Sequence, residues 1–227
     1  SNDARGTTST VDPKSGDSIN RVNPLVRSTG YEVGVRTAII PGLQASFAAF
    51  RLDLDSELLF VGDAGTTEAS RPSKREGVEA SLFYMPTHWL TIDVDYALAR
   101  ARFSDIDASG NQIPGAIRGV GKLAVAVDNI GPLFASMQCR YFGKRPLIED
   151  NSVQSDHTVT LNGQIGYKIG KNVRMIVQGF NLLNTQAHSI DYYYTSRLPG
   201  EPAAGLNDVH FHPIESRSFR VNLVANF

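Results

Sequence analysis

The sequence predicts an all-β fold, an antiparallel up-and-down meander of about nine or ten strands. Three observations carry the prediction. Apolar residues recur at every second position in segment after segment, which is the mark of a strand with one oily and one wet face. The connections alternate strictly between tight turns and long polar loops. No stretch shows a helical period.

The first strand, 26–40, contains "YEVGVRTAI", where Tyr31, Val33, Val35 and Ile39 oppose Glu32 and Arg36. Pro41-Gly42 then turns the chain into a strand at 43–61. In the third, 75–86, "GVEASLFY" sets Val78, Ala80, Leu82 and Tyr84 against Glu79 and Ser81. Pro86-Thr87-His88 leads into 89–104, "WLTIDVDYALARARF", with Leu90, Ile92, Val94, Tyr96 and Leu98 opposite Thr91, Asp93, Asp95 and Ala97. A strand at 117–129 turns at Ile130-Gly131-Pro132 into 133–145, where Leu133, Ala135, Met137, Cys139 and Tyr141 alternate with Ser136, Gln138 and Arg140. Strand 156–168 carries Val159, Leu161, Ile165 and Tyr167 on one side, and Gly170-Lys171-Asn172 joins it to 172–186. The last, 215–227, ends "RSFRVNLVANF", with Phe219, Val221, Leu223, Ala225 and Phe227 in one parity.

Between the tight turns lie "GDAGTTEASRPSK", "SDIDASGNQIPGA", "PLIEDNSVQSD" and the extended "AHSIDYYYTSRLPGEPAAGLNDVHFHPIE". Short turns at one end and long loops at the other are the layout of an outer-membrane barrel. The rival is a sandwich, whose strands alternate in the same way. Strand length favours the barrel, since several segments exceed the usual 5 or 6 residues. So do the aromatics near strand ends, Tyr84, Trp89, Tyr141, Tyr167 and Phe227, where a membrane interface places a girdle.

A formal charge of -1 gives no basic field, so a nucleic-acid partner has no electrostatic support. The single cysteine, Cys139, cannot form an internal disulfide and reads as a small apolar filler. No run reaches the roughly 18 apolar residues of a transmembrane helix, and mean hydropathy is -0.18; neither fact bears on transmembrane strands.

The longest loop holds the candidate ligand-binding residues. Tyr192, Tyr193 and Tyr194 with Arg197 offer a large aromatic and cationic contact area, against the simpler reading that the tyrosines only continue a strand above the membrane. His210 and His212, two apart in "DVHFHP", face the same way in an extended segment and form a weak candidate for a shared metal, with Asp208 nearby. No cofactor is expected. Asp93 and Asp95 with Glu79 are paired carboxylates in form, but they fall on the wet face, where polar residues belong anyway. Ser155-Asp156-His157 fails as a triad, because such a constellation is assembled in space and not from consecutive residues.

Several stretches carry a family resemblance. "ELLFVGDAGTTEASRPSKREGVEASLFYMPTHWLTIDVDYALARARF" resembles a strand, loop and hairpin of TonB-dependent receptors, and "VRMIVQGFNLLN" is similar to that family's strand next to the last. The terminal strand, with Phe219, Val221, Leu223 and Phe227, resembles the signal read by the outer-membrane barrel-assembly machinery. The resemblance implies the C-terminal portion of a roughly 22-stranded transmembrane barrel with a plugged lumen. It implies no enzyme: the expected function is uptake of a scarce nutrient such as a ferric siderophore, metal complex, cobalamin or oligosaccharide. The implied partners are outer-membrane lipid, the assembly machinery, the small nutrient ligand and, through an N-terminal part absent here, the TonB complex.

On this reading residues 1–25 are an extracellular loop or a lead-in, and 26–227 are C-terminal barrel strands without the plug domain. An odd strand count with the C-terminus on the short-turn side implies that something upstream crosses the membrane first. The alternatives from other classes are a small passive outer-membrane barrel or outer-membrane enzyme, and a soluble β-sandwich binding module.

Overall fold

The computed structural model describes residues 26–226 apart from 57, 62–65, 70, 106 and 109. Its strands in chain order are β1 (Ser28–Thr37), β2 (Leu43–Leu54), β3 (Leu58–Val61), β4 (Thr66–Ala69), β5 (Ser73–Thr87), β6 (Leu90–Phe103) and β7 (Gly119–Ile130). They continue with β8 (Leu133–Phe142), β9 (Thr158–Ile169), β10 (Val173–Phe180), β11 (His188–Ser196), β12 (Leu206–Pro213) and β13 (Ser218–Ala225). Nine of them form one antiparallel sheet in the order β1-β2-β5-β6-β7-β8-β9-β10-β13. The other four make two separate hairpins, β3–β4 and β11–β12, within the long connections.

The meander is as expected, with corrections at the loop end. The strand read at 43–61 stops at Leu54, and 58–61 belongs instead to a hairpin whose second strand lies in the segment read as a polar loop. The strand read at 172–186 ends at Phe180, because Asn181 and Asn184 turn the backbone to positive φ, 46° and 52°. Residues 1–25 and the terminal Phe227 lie outside the described residues.

Register keeps the two faces apart across the whole sheet. Opposed residues share a face, so the rung Ala45–Leu82–Val94–Leu123–Cys139–Leu161 is apolar throughout. The next rung toward the short turns, Leu43–Tyr84–Ile92–Val125–Met137–Gly163, is apolar too. The opposite face carries Arg36–Ser46–Ser81–Asp95–Lys122–Arg140–Thr160 and the amide series Gln164–Gln178, with Asn222 Nδ2 donating to Gln178 Oε1 at 2.9 Å. A one-residue slip anywhere would swap these faces, and none occurs along a strand; the shifts fall at the turns Tyr84/Thr87 and Val127/Ile130.

Among the described residues nothing packs on the apolar face. Phe219, Val221 and Leu223 are 69%, 68% and 71% exposed, and Val33, Leu123, Met137, Ile165 and Tyr167 are also exposed. A sandwich would have covered this face with a second sheet. The buried large hydrophobes among the described residues are Phe103, Ile113 and Leu147, all at the long-loop end. Tight turns close the other end: Pro41 and Gly42 occupy the centre of a type II turn, with Leu43 N–H donating to Ile40 O at 3.0 Å and Gly42 at φ +77°.

Candidate functional site

Four long connections gather at one end of the sheet: β2–β5, β6–β7, β8–β9 and β10–β13. The sequence shows them to be long and polar. The structure shows that the last three, with the approach to β5, are folded against each other.

Arg71, just before β5, ties three of them together. Its Nε donates to both carboxylate oxygens of Asp105 at 2.9 and 2.8 Å, one Nη to Glu149 Oε2 at 2.6 Å and the other to Gly110 O at 3.0 Å. The guanidinium also lies 4.4 Å above the Phe103 ring. Hydrogen bonding from Arg71 holds the Asp105 carboxyl below its ordinary value, and Asp105 in turn raises Arg71. Asp150 is lowered by the backbone N–H of Ser152, which donates to it at 2.9 Å. Both carboxylates therefore stay ionised as part of the loop architecture.

The longest connection departs through "NLLN". Asn181 is buried; its Nδ2 donates to Thr185 O and Glu215 O, both at 3.0 Å, while its Oδ1 accepts from Thr185 N–H at 3.0 Å. One side chain thus joins the exit from β10 to the entry into β13. Beyond it the chain forms β11–β12, so the three tyrosines stand in a two-stranded sheet of their own and do not prolong β10.

A buried ion pair fixes this hairpin to its neighbour. Arg145, in the β8–β9 loop, donates from Nη2 to Asp191 Oδ2, and both residues are 6% exposed. The second oxygen of Asp191 lies 2.5 Å from His188 Nδ1, and the His188 ring stacks on Phe211 at 3.6 Å. Arg145 N–H donates to Ser155 Oγ, which itself donates to Asp156 O, so this hydroxyl is engaged by backbone partners.

The predicted ligand residues sit as follows. Tyr192 lies opposite His210 in the register, and Tyr194 opposite Asp208, so these share one face with His212; Tyr193 is on the other, with Asp191 and Phe211. The Tyr194 ring stacks on His210 at 3.9 Å, and His210 Nε2 is buried without a hydrogen-bond partner. Arg197 is at the hairpin tip, where its Nε donates to Glu201 O at 3.2 Å. Among the described residues no group of three or more His, Cys, Asp or Glu is arranged to hold a metal. Phe219, Val221 and Leu223 line the apolar face of β13, which begins five residues after the β11–β12 hairpin ends.

Sequence reasoning missed Arg71, Arg145, Asp191 and His188. Arg71 reaches partners 34, 39 and 78 residues away, and Arg145 one 46 away, so no local pattern announces them. The hairpin did leave a signal: "HSIDYYYTS" is β-prone and Pro199-Gly200 marks its turn.

On the polar face, Lys122 Nζ lies 2.9 Å from Asp93 and 2.6 Å from Asp95, so one lysine is shared by the two carboxylates and offsets one of their two charges. An open trough of about 1030 Å³ runs over this face, lined by Arg36, Ser46, Glu79, Asp95, Lys122 and Arg140.

The sequence matches the family described as TonB dependent receptor-like, beta-barrel, over residues 4–182. The fold is similar to the ferric-catecholate import receptor Fiu of E. coli K12, with TM-score 0.69 at 18% identity, over 89% of this chain and 28% of that one. It is similar also to the ferric yersiniabactin uptake receptor FyuA of Yersinia pestis, with TM-score 0.69 at 17% identity, over 93% and 32%. A third likeness is to BauA, the ferric preacinetobactin receptor of Acinetobacter baumannii, with TM-score 0.67 at 14% identity, over 98% and 32%. The chain thus spans about a third of the length of the receptors it matches. One oily and one wet face in unbroken register, tight turns opposite long loops, and this match over most of the sequence lead to one conclusion: the chain belongs to the TonB-dependent receptor family, as β-barrel wall of the outer membrane.

Proposed function

We propose that these strands and loops serve an active uptake receptor that captures a ferric siderophore or a related metal complex at the long-loop end. The observation that carries this reading is the loop assembly itself. Arg71 and the Arg145–Asp191 pair hold the loops and the β11–β12 hairpin in one arrangement, which presents Tyr192, Tyr194, His210 and His212 on one strand face. Stacked rings and imidazoles suit a planar, oxygen-rich chelate better than a bare ion. The similar receptors named for ferric catecholate, yersiniabactin and preacinetobactin support an iron complex over cobalamin or an oligosaccharide.

In this reading Arg197 braces the hairpin tip, and Tyr193 contributes from the other face. Energy comes from the inner-membrane TonB complex through parts of the receptor outside these strands. The apolar row Phe219, Val221, Leu223, completed by Phe227, is the signal for the barrel-assembly machinery, and the apolar face meets lipid.

The test is to excise residues 188–213 from the whole receptor, replace them with a short Gly-Ser link, and measure surface level and uptake of a panel of iron-55 siderophores. Normal surface level with uptake lost is the expected result. Uptake unchanged would remove the hairpin from ligand capture, and an intact receptor that takes up no iron complex would turn the reading toward another nutrient.

A further inference from the structure

The apolar face is interrupted in one place only. Among the described residues of the nine sheet strands, its charged side chains are Arg51 and Asp53 on β2, Lys74 and Glu76 on β5, and Arg100 and Arg102 on β6. They occupy two adjacent rungs at the long-loop end, Arg51–Glu76–Arg100 and Asp53–Lys74–Arg102. Below them the next rung, Val33–Ala49–Val78–Leu98, is apolar, and the rungs from there to the short turns carry no charge. On β6 the apolar run from Leu90 to Leu98 covers about 27 Å along the strand, or about 20 Å of height at barrel tilt. The charged rungs therefore begin where the hydrocarbon ends.

Four cations face two carboxylates there. Arg51 holds Asp53 through two hydrogen bonds, 2.8 and 3.1 Å, and Glu76 is shared by Lys74 at 2.9 Å and Arg102 at 4.0 Å. Arg100 is exposed and has no ion-pair partner among the described residues. The surplus is thus two positive charges, on a surface whose lower edge is apolar and continuous with lipid.

We propose that this patch binds the phosphate of an outer-leaflet lipid, with Arg100 and Arg102 as the principal contacts and the acyl chains lying on Val78 and Leu98. Arginine suits phosphate because its planar fork donates to two oxygens at once. A free phosphate gains nothing from the apolar rungs beneath, whereas a lipid gains from both, so the occupant is a membrane lipid. The proposal rests on the long-loop end facing outward.

The experiment uses the whole receptor in detergent, followed by native mass spectrometry with phosphatidic acid, phosphatidylcholine or inorganic phosphate as probe. Heat-modifiable gel migration reports barrel integrity for each variant, and impermeant labelling of a loop cysteine in intact cells reports orientation independently. Phosphatidic acid adducts are expected on the native receptor, reduced roughly tenfold or more in R100A/R102A and reduced less in R100K/R102K, which keeps the charge without the two-oxygen fork. Removing the same charge from the inner face, in R36A/R140A, is expected to change nothing. Equal retention in R100A/R102A, equal loss in R36A/R140A, equal binding of phosphatidylcholine, or equal binding of inorganic phosphate would each overturn the proposal.

Discussion

Val94 and Asp93 are neighbours in sequence but sit in different media. Val94 lies in the rung Leu82–Val94–Leu123, half-way along the apolar run of β6, whereas Asp93 is on the wet face beside Lys122. An arginine near the bilayer midplane costs about 2–4 kcal/mol. Val94→Arg should therefore reduce the amount of heat-modifiable, folded receptor in the outer membrane. Asp93→Asn should leave it near the native level, since Asp95 still compensates Lys122 at 2.6 Å. Equal damage from the two would mean that the faces are misassigned. This contrast was legible in the sequence, because a period of two assigns every residue of a strand from any one of them. Cys139 follows the same logic: it lies between Leu123 and Leu161 as an apolar filler.

The β11–β12 hairpin depends on contacts that no strand pattern encodes. Arg145→Met leaves Asp191 buried without its cation, which costs about 3–5 kcal/mol. Hydrogen exchange should then show faster opening of 188–213, with the wall strands unchanged. Asp191→Asn should do much the same, and the double variant less than the sum, because removing both charges removes the orphan. Protection that stays at the native level in both single variants would show that the hairpin is held by something else.

The Arg71 clamp behaves differently with pH. Its partner Asp105 has a folded value below the ordinary 3.8, so its contribution is present above that value and is lost as pH falls through the depressed one. The loops should accordingly resist protease from neutral pH to about pH 5 and loosen only below about pH 4. Loosening between about pH 5 and pH 7 would instead implicate a histidine. The lengths of these loops were readable in the sequence. Their mutual packing was not, since it rests on Phe103, Ile113 and Leu147, which look like ordinary strand ends and loop residues until the chain is folded.

For the whole molecule, the alternation of turn and loop lengths fixes which connections share a side of the membrane. In a Cys139→Ala background, a cysteine at Ala108 or Pro199, both exposed at the long-loop end, should react with an impermeant maleimide on intact cells. One at Gly131 should react only after the outer membrane is opened. Labelling at Gly131 as well as at the loop sites in intact cells would break the assignment of the two ends. The order of the nine wall strands followed from the sequence, because a meander with tight turns has no other neighbour to pair with. The two hairpins did not, since β3–β4 and β11–β12 pair within connections that composition alone describes as loops.

The location of the buried hydrophobes has a thermodynamic consequence. With the apolar face in lipid, as proposed above, the wall's stability rests on interstrand hydrogen bonds that have no aqueous competitor. Phe103, Ile113 and Leu147 are instead withdrawn from water, as in any small globular unit. On that reading one polypeptide is dissolved in two solvents. Urea, which weakens aqueous burial, should melt the loop cap first and leave the wall standing, so a single midpoint would misdescribe both.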